Sequence, residues 1–409
     1  MPATLQAFNP FRVLVTHRNF RRFWVGQTLS LIGTWMQTMA QAWLALELSD
    51  SAFIVGLVAA SGSLPILLFS LPAGVLVDRR DRLRLVKIAQ ALLLLEAVVL
   101  WLLTLSGHIT VGWILALALV AGGIASVEIP ARQSLMVDLV GRDDLRDAIA
   151  LNSSGFNLAR IVGPAVGAVV IAQLGIAWCF AVNALSYLMV LIGLSRVQLP
   201  PWHLPRMPKA PLQEIRDVLA YATGDRTVRG ILSLVTVFSV LGIPYIALMP
   251  VLARDQLRLG AGGYGLLLSA LGIGGLTGAL VLAAVGPRIR RGRVLAGASL
   301  AFAALLIALS FTRTAAVALP ILLAAGFLMI VHNALANGLL QTLVPDEYRG
   351  RLMAMYSLIV VGLPQVIGAF SAGAIARVLG VDRAIGGAAV IMLVYALWAF
   401  RRFPEVRNL

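Results

Sequence analysis

Gly74-Val-Leu-Val-Asp78-Arg79-Arg80-Asp81-Arg82-Leu83-Arg84 decides how the rest of this chain is read. It sets four arginines and two aspartates at the junction of two long apolar runs, 53–77 and 84–106. A helix needs about 20 apolar residues to cross the hydrocarbon of a bilayer. Each flanking run meets that length, so the stretch is a short charged turn between two membrane spans. The same pattern continues in both directions. Expected spans are 22–48, 53–77, 84–106, 109–137, 144–173 and 176–196, then 229–254, 263–286, 293–312, 316–343, 350–377 and 382–402. Sixty per cent of the 409 residues are hydrophobic, and the mean hydropathy is +0.91. No soluble core needs so much apolar material spread so evenly. The expected fold is an all-α membrane protein with twelve transmembrane helices.

Charge gives the orientation. The chain holds 33 Lys and Arg against 18 Asp and Glu, a net charge of +15. Five of the basic residues (Arg254, Arg258, Arg313, Arg377 and Arg383) fall in one set of gaps, and Arg160 falls inside a span; the other 27 lie on the side that holds both termini. Basic residues mark the cytoplasmic side, so both termini are expected there. The basic residues flank apolar spans and form no aromatic-interleaved patch, which speaks against nucleic-acid binding. Arg12, Arg18, Arg21 and Arg22 imitate the start of a signal peptide, but the run after them is too long for one and reads as a retained helix. The single Cys179 excludes an intramolecular disulfide.

One substantial break divides the spans six and six. Between Arg196 and Arg229 stand Pro200, Pro201, Pro205, Pro208 and Pro211, which forbid a continuous helix. Past Pro211, Leu212, Ile215, Val218, Leu219 and Ala222 share one helical face, the pattern of a surface amphipathic helix at about 211–224. The expected organisation is a first six-helix bundle at 1–196, a linker at 197–228 and a second bundle at 229–409. A weak repeat supports it: Leu139-Val-Gly-Arg-Asp-Asp-Leu-Arg parallels Leu343-Val-Pro-Asp-Glu-Tyr-Arg-Gly. Each links the fourth and fifth spans of its half. Many transporters are built from such paired halves.

The opening stretch resembles the loop signature of the major facilitator superfamily, G-x-L-x-D-R-x-G-R-[RK], with Asp81 standing where the signature has glycine. Gly33-Thr-Trp-Met-Gln37, Glu47-Leu-Ser-Asp-Ser51, Pro130-Ala-Arg-Gln133 and Asn157-Leu-Ala-Arg160-Ile-Val-Gly163-Pro164 look like the enterobactin-exporter-like branch, related to macrolide-efflux and drug:proton antiporter members. The resemblance implies two six-helix bundles and efflux. It also implies a conformational latch of Gly74, Asp78, Arg79, Arg82 and Asp138. Asp78 would meet the start of the eleventh helix near Gly350, where a helix N-terminus favours an anion, and Arg82 would pair with Asp138. Gly163, Pro164 and Gly167 partly match the fifth-helix signature of antiporters, and they read as a hinge or as close packing.

Ionisable groups inside a membrane are costly and mark function. Glu96, Glu128 and Arg160 are the ones at depth here. Glu128 is the first choice of proton carrier, with Arg160 reaching toward it from the neighbouring span. Arg132 competes for Glu128 at i,i+4 spacing, and a purely structural ion pair is the alternative. Glu96 reads as a protonated acid in a helix contact. Gln37, Asn157, His332 and Asn333 complete the candidate proton-coupling and substrate residues, with His332 more readily a packed histidine. No phosphate-binding loop or His/Cys cluster appears, so no cofactor, metal or ATP is expected. The function expected is a secondary active exporter, not an enzyme. It would be monomeric in a bacterial inner membrane, moving a small amphipathic or lipophilic molecule against protons. The alternative is a lipid or lysolipid translocase.

Overall fold

The computed structural model describes residues 11–199, 219–285 and 289–409. Twelve long helical elements follow one another: α1 (Arg18–Ser49), α2 (Ala52–Asp78), α3 (Arg82–Leu105), α4 (Val111–Val140), α5 (Leu145–Leu174), α6 (Ala177–Ser195), α7 (226–256), α8 (Ala261–Val285), α9 (Arg291–Phe311), α10 (Ala315–Leu343), α11 (Asp346–Leu379) and α12 (Val381–Arg402). Among the described residues, eleven helices are long and apolar enough to cross a membrane. The one that falls short on composition is α1. It carries Gln27, Thr28, Ser30, Thr34, Gln37, Thr38 and Gln41 along its length. Gln27, Thr28, Ser30 and Gln37 are buried, so its polarity faces protein and it completes the first bundle of an all-α membrane fold.

The sequence starts and stops these helices with recognisable signals. Asp81 caps α3 by accepting from the Arg84 amide at 3.1 Å, in an extended conformation that needs no glycine. That is why the loop tolerates aspartate where the signature has glycine. Asp225 caps α7 through the Thr227 and Val228 amides. Gly141, Gly175 and Gly380 end their helices at positive φ. Of the expected surface helix, 219–224 is helical and Tyr221 stacks on Tyr348 at the start of α11; 211–218 lies outside the described residues.

Packing repeats with a shift of six. In the first half α1 lies on α5 and α6, α2 on α4, and α3 on α4 and α6; in the second α7 lies on α11 and α12, α8 on α10, and α9 on α10 and α12. Between the halves α2 meets α11 and α5 meets α8, and the shift exchanges those two contacts. This is the connectivity of a pseudo-two-fold axis along the membrane normal.

Glycines bring the paired helices together. A Cβ on Gly122 would run into the Gly62 carbonyl, joining α4 to α2; one on Gly274 or Gly326 would run into the Leu323 or Leu271 carbonyl, joining α8 to α10. Apolar helices gain little by leaving lipid, so close backbone packing is what holds such pairs.

The halves differ in their backbones. Pro65, Pro72, Pro130 and Pro164 lie inside unbroken helices. In α7 a π-type turn at Phe238–Gly242 leads into a 3₁₀ turn at Pro244–Ile246. In α11 π-type turns at Leu358–Gly362 and Pro364–Gly368 follow each other. Proline withholds an N–H from the ladder, and the turns absorb the fault.

Gly274→Ala is expected to destabilise by about 1–3 kcal/mol through overpacking. Gly297→Ala, with open space over its Cα, should be neutral. Thermal unfolding of the two variants in the same detergent checks this; equal midpoints would refute the packing argument.

Candidate functional site

The polar groups at membrane depth gather in the first half. Glu96 on α3 is 3% exposed and accepts from Gln37 Nε2 of α1 at 3.0 and 3.3 Å. Gln37 Oε1 accepts from Asn183 Nδ2 of α6 at 2.8 Å, and Asn183 Oδ1 accepts from Ser186. Gly33 makes room for this chain: a Cβ there would stand 2.6 Å from Ser186 Oγ. All the partners of Glu96 are neutral. An ionised carboxylate so placed would lack a counter-charge, at a cost of several kcal/mol.

Glu128 sits on a different footing. Arg132 Nε donates to it at 2.9 Å, and Gln90 of α3 donates at 3.2 Å. Glu128 and Arg132 are both buried. The expectation that Arg160 would reach Glu128 is therefore corrected. The i,i+4 spacing on α4 puts Arg132 against Glu128 within a single helix, whereas Arg160 turns to the other half. A Cβ on Gly275 of α8 would lie 2.7 Å from Arg160 Nη2, and Arg160 also interacts electrostatically with Tyr245 of α7.

In the second half His332 is fully buried. It stacks on Phe238 with ring centroids 3.7 Å apart, and its Nδ1 lies 3.0 Å from Ser299 Oγ. This is the geometry of a packed histidine. Asn333 offers its carbonyl to the Tyr356 hydroxyl at 2.7 Å. Asn157 Nδ2 donates to Ser153 O within α5.

At the end of the bundle that carries the termini, the basic face, Arg82 pairs with Asp138 at 3.0 Å. Asp78 is exposed, and open space surrounds the Cα of Gly74 and of Gly350. At the opposite, far face the halves are bridged. Arg254 of α7 pairs with Asp50 and donates to Leu46 O at the end of α1. Trp43 stacks on Tyr264 of α8, and Phe53 meets Phe370 edge-on under Arg377. A Cβ on Gly56 would meet the Ala369 carbonyl. Beside this closure lies a polar crevice of about 730 Å³ bordered by Arg258, Arg313, Arg377, Asp50, Asp255 and Asp382.

Gly163 and Gly167 face α1: Cβ atoms there would come within 2.6 Å of Trp35 and 3.0 Å of Met36. Pro164 presents its carbonyl to Gly265 of α8. Thus this trio packs α5 against both halves, and the irregular backbone lies elsewhere, in α7 and α11. Sequence reasoning missed that, although Gly242-Ile-Pro244 and Gly362-Leu-Pro364 signal it. It also missed Gln90, Asn183 and Tyr245, which single polar residues in apolar runs mark.

The chain matches the transmembrane secretion effector family over residues 5–408, and it belongs to that family. Relatives include the enterobactin exporter EntS of Citrobacter koseri, 25% identical over 420 residues and 96% of each chain. The multidrug efflux pump Tap of Mycolicibacterium fortuitum is 27% identical over 92% of this chain and 93% of that protein. The staphyloferrin A transporter of Staphylococcus aureus is 27% identical over 64% of this chain and 66% of that one. A bacterial homologue of the human lysosomal transporter Spinster, in an inward-facing state, shares the fold with a TM-score of 0.73 at 15% identity, covering 97% of this chain and 98% of that chain. The chain is thus a major facilitator superfamily transporter, with enterobactin exporters among its relatives.

Breaking the far-face bridge should open that face. Cys179, the one cysteine, is buried, so an introduced thiol can be read alone. Ala52→Cys, at the buried bridge, is expected to react faster with a maleimide when combined with Arg254→Gln. An unchanged rate would show that the ion pair does not hold the closure.

Proposed function

We propose that this chain is a proton-coupled exporter of small amphipathic or lipophilic compounds. It works by alternating access, as a monomer in a bacterial inner membrane with its basic face in the cytoplasm. Export is supported by relatives named as an enterobactin exporter and a multidrug efflux pump. The orientation is supported by the basic residues, 27 of which lie on the terminal side and five on the other.

Proton coupling is carried by one observation: two buried acids of one half stand in opposite electrostatic settings. Glu96 faces neutral donors, while Glu128 faces Arg132. Acids whose surroundings separate their protonation states are how one site both holds and passes a proton. In this arrangement Glu128 is ionised and balanced by Arg132, the condition after a proton has left to the cytoplasm. A proton entering from the far side neutralises Glu128 and releases Arg132. Its return to the cytoplasm restores the pair. Glu96 keeps its proton throughout and ties α1, α3 and α6 together through Gln37 and Asn183.

The latch fits the same cycle. The far face is bridged and Asp78 is exposed, as befits a state open to the cytoplasm. When that side closes, Asp78 moves onto the amides at the start of α11, with Arg82 and Asp138 holding the loop. Gly163 and Pro164 keep α5 against its neighbours while the halves rock. The partly exposed Arg82–Asp138 pair is worth about 1 kcal/mol or less. Its loss should appear in transport and hardly in folding.

Reconstituted protein, screened over dyes, macrolides, siderophores and lysolipids, should release protons when its substrate is added. Glu128→Gln imitates the protonated state. It is expected to bind substrate but to lose uphill accumulation, while Glu96→Gln keeps most of it. If Glu128→Gln still pumps with unchanged pH dependence and Glu96→Gln does not, the roles are reversed. If both pump, the proton takes neither acid. If no compound moves uphill on a pH gradient, proton-coupled export is wrong.

A further inference from the structure

Arg160 is a cation without an anion. It lies midway along α5, within the 30-residue helix Leu145–Leu174. Its guanidinium carries five N–H donors. Among the described residues no hydrogen bond or ion pair reaches it, and its buried Nε has no partner. The side chain is half-buried, and a charge at this depth without a counter-ion is costly to the extent that water is kept from it.

The protein has little to offer as a counter-charge. Within the spans, acids at depth are limited to Glu96 and Glu128. Glu96 is held by Gln37, and Glu128 by Arg132 and Gln90. The helices of the second half that Arg160 faces, α8 and α10, contain no Asp or Glu at all, and α7 has none before Asp255. The other three basic groups near this depth are accounted for: Arg132 is paired, and Lys87 and Arg82 lie toward the basic face of α3.

A glycine of the other half makes room for the Arg160 head group. Arg160 Nη2 lies where Gly275 of α8 lacks a side chain, and Ile330 of α10 stands against the same place. The Tyr245 hydroxyl is buried, has no hydrogen-bond partner and is in electrostatic range of Arg160. The cation of α5 and the free hydroxyl of α7 lie within electrostatic range of each other, and Arg160 Nε and the Tyr245 hydroxyl each lack a hydrogen-bond partner. A group that satisfies both must be a hydrogen-bond acceptor, and to balance the guanidinium it must be negative. An arginine binds a planar carboxylate, or a phosphate or sulfonate, through two parallel N–H donations.

We propose that Arg160 and Tyr245 form an anion-binding subsite on the axis between the halves, so that the exported molecule carries a carboxylate, phosphate or sulfonate beside its apolar part. This rests on the export reading above and names the substrate class. The apolar remainder of the ligand would lie against Ile330 and its neighbours, while Arg160 fixes the charged end. Binding the anion removes the cost of the bare guanidinium in the loaded state. The loaded carrier then changes conformation with that charge neutralised.

Two xanthene dyes of nearly the same shape and opposite charge test this: fluorescein, a carboxylate anion, and rhodamine 123, a cation whose carboxyl is esterified. Fluorescence polarisation with the protein in phosphatidylcholine nanodiscs reads binding. The wild-type protein is expected to prefer fluorescein. Arg160→Gln should lower fluorescein affinity by about tenfold or more, as expected for losing a charge-assisted hydrogen-bond pair, and should not weaken rhodamine 123. Arg160→Lys, which keeps the charge but not the fork, should fall between. The wild-type comparison stands alone if Arg160→Gln does not fold. Equal binding of the two dyes by the wild type, no binding of either, or undiminished fluorescein binding by Arg160→Gln overturns the subsite. Competition by citrate or by lysophosphatidylglycerol then tells a soluble anion from a lipid headgroup. Uphill pumping of rhodamine 123 without fluorescein binding would sink the subsite and leave export standing. Fluorescein binding without uphill movement of any compound would sink export and leave the subsite.

Discussion

A charge at membrane depth must find its counter-charge inside the protein, because lipid supplies none. The interior of this transporter is arranged around that constraint. Arg132 answers Glu128 one helical turn away. Glu96 is answered only by the neutral amide of Gln37, which supplies a hydrogen bond but no counter-charge. The same rule explains why α1 is the least apolar of the long helices. Its Gln37 is the partner that Glu96 of α3 and Asn183 of α6 require, and Gln27, Thr28 and Ser30 are buried along the same helix.

The second constraint is that apolar helices in lipid gain nothing from hiding apolar surface. They associate by fitting backbones closely. Glycine at Gly62 and Gly122 in one half, and at Gly274 and Gly326 in the other, does this at equivalent helix pairs. The halves share one architecture because the same close contacts recur. Between them the contacts are of another kind. Gly56 and Gly373 bring α2 against α11, but aromatic rings and the Arg254–Asp50 pair complete the closure at the far face. Such groups separate and re-form in water at little cost, which suits a joint that must open.

Much of this was legible in the sequence. Run length and charge gave all twelve elements within a few residues; α4, expected at 109–137, spans Val111–Val140. The Arg82–Asp138 contact followed from the loop motif. Partner choice was harder. Glu128 had two arginines within reach on paper, and only rotation about α5 shows that Arg160 faces α8 rather than α4. A linear pattern gives depth and neighbouring spans but not which side of a helix faces which neighbour when every side is apolar. The low amphipathicity of these helices removes the signal that assigns faces in soluble proteins. Backbone faults were hidden for a related reason. Proline inside a span is compatible with a straight helix at Pro130 and Pro164 and with π-type turns beside Pro244 and Pro364.

That division has a mechanical meaning. The first half keeps its helices regular and carries the buried acids, whose hydrogen bonds depend on distances of about 3 Å. Bending those helices would break the network. The second half carries no acid in α8 or α10 and can deform at α7 and α11 without stranding a charge. Gly368 lies against Pro244, so the two irregular helices touch where each is weakest. Through α11 this deformable pair reaches α2, the helix that ends in Asp78. A deformation of this pair would thus reach Asp78 through α2, while the regular helices of the first half hold Glu96, Glu128 and their partners in place.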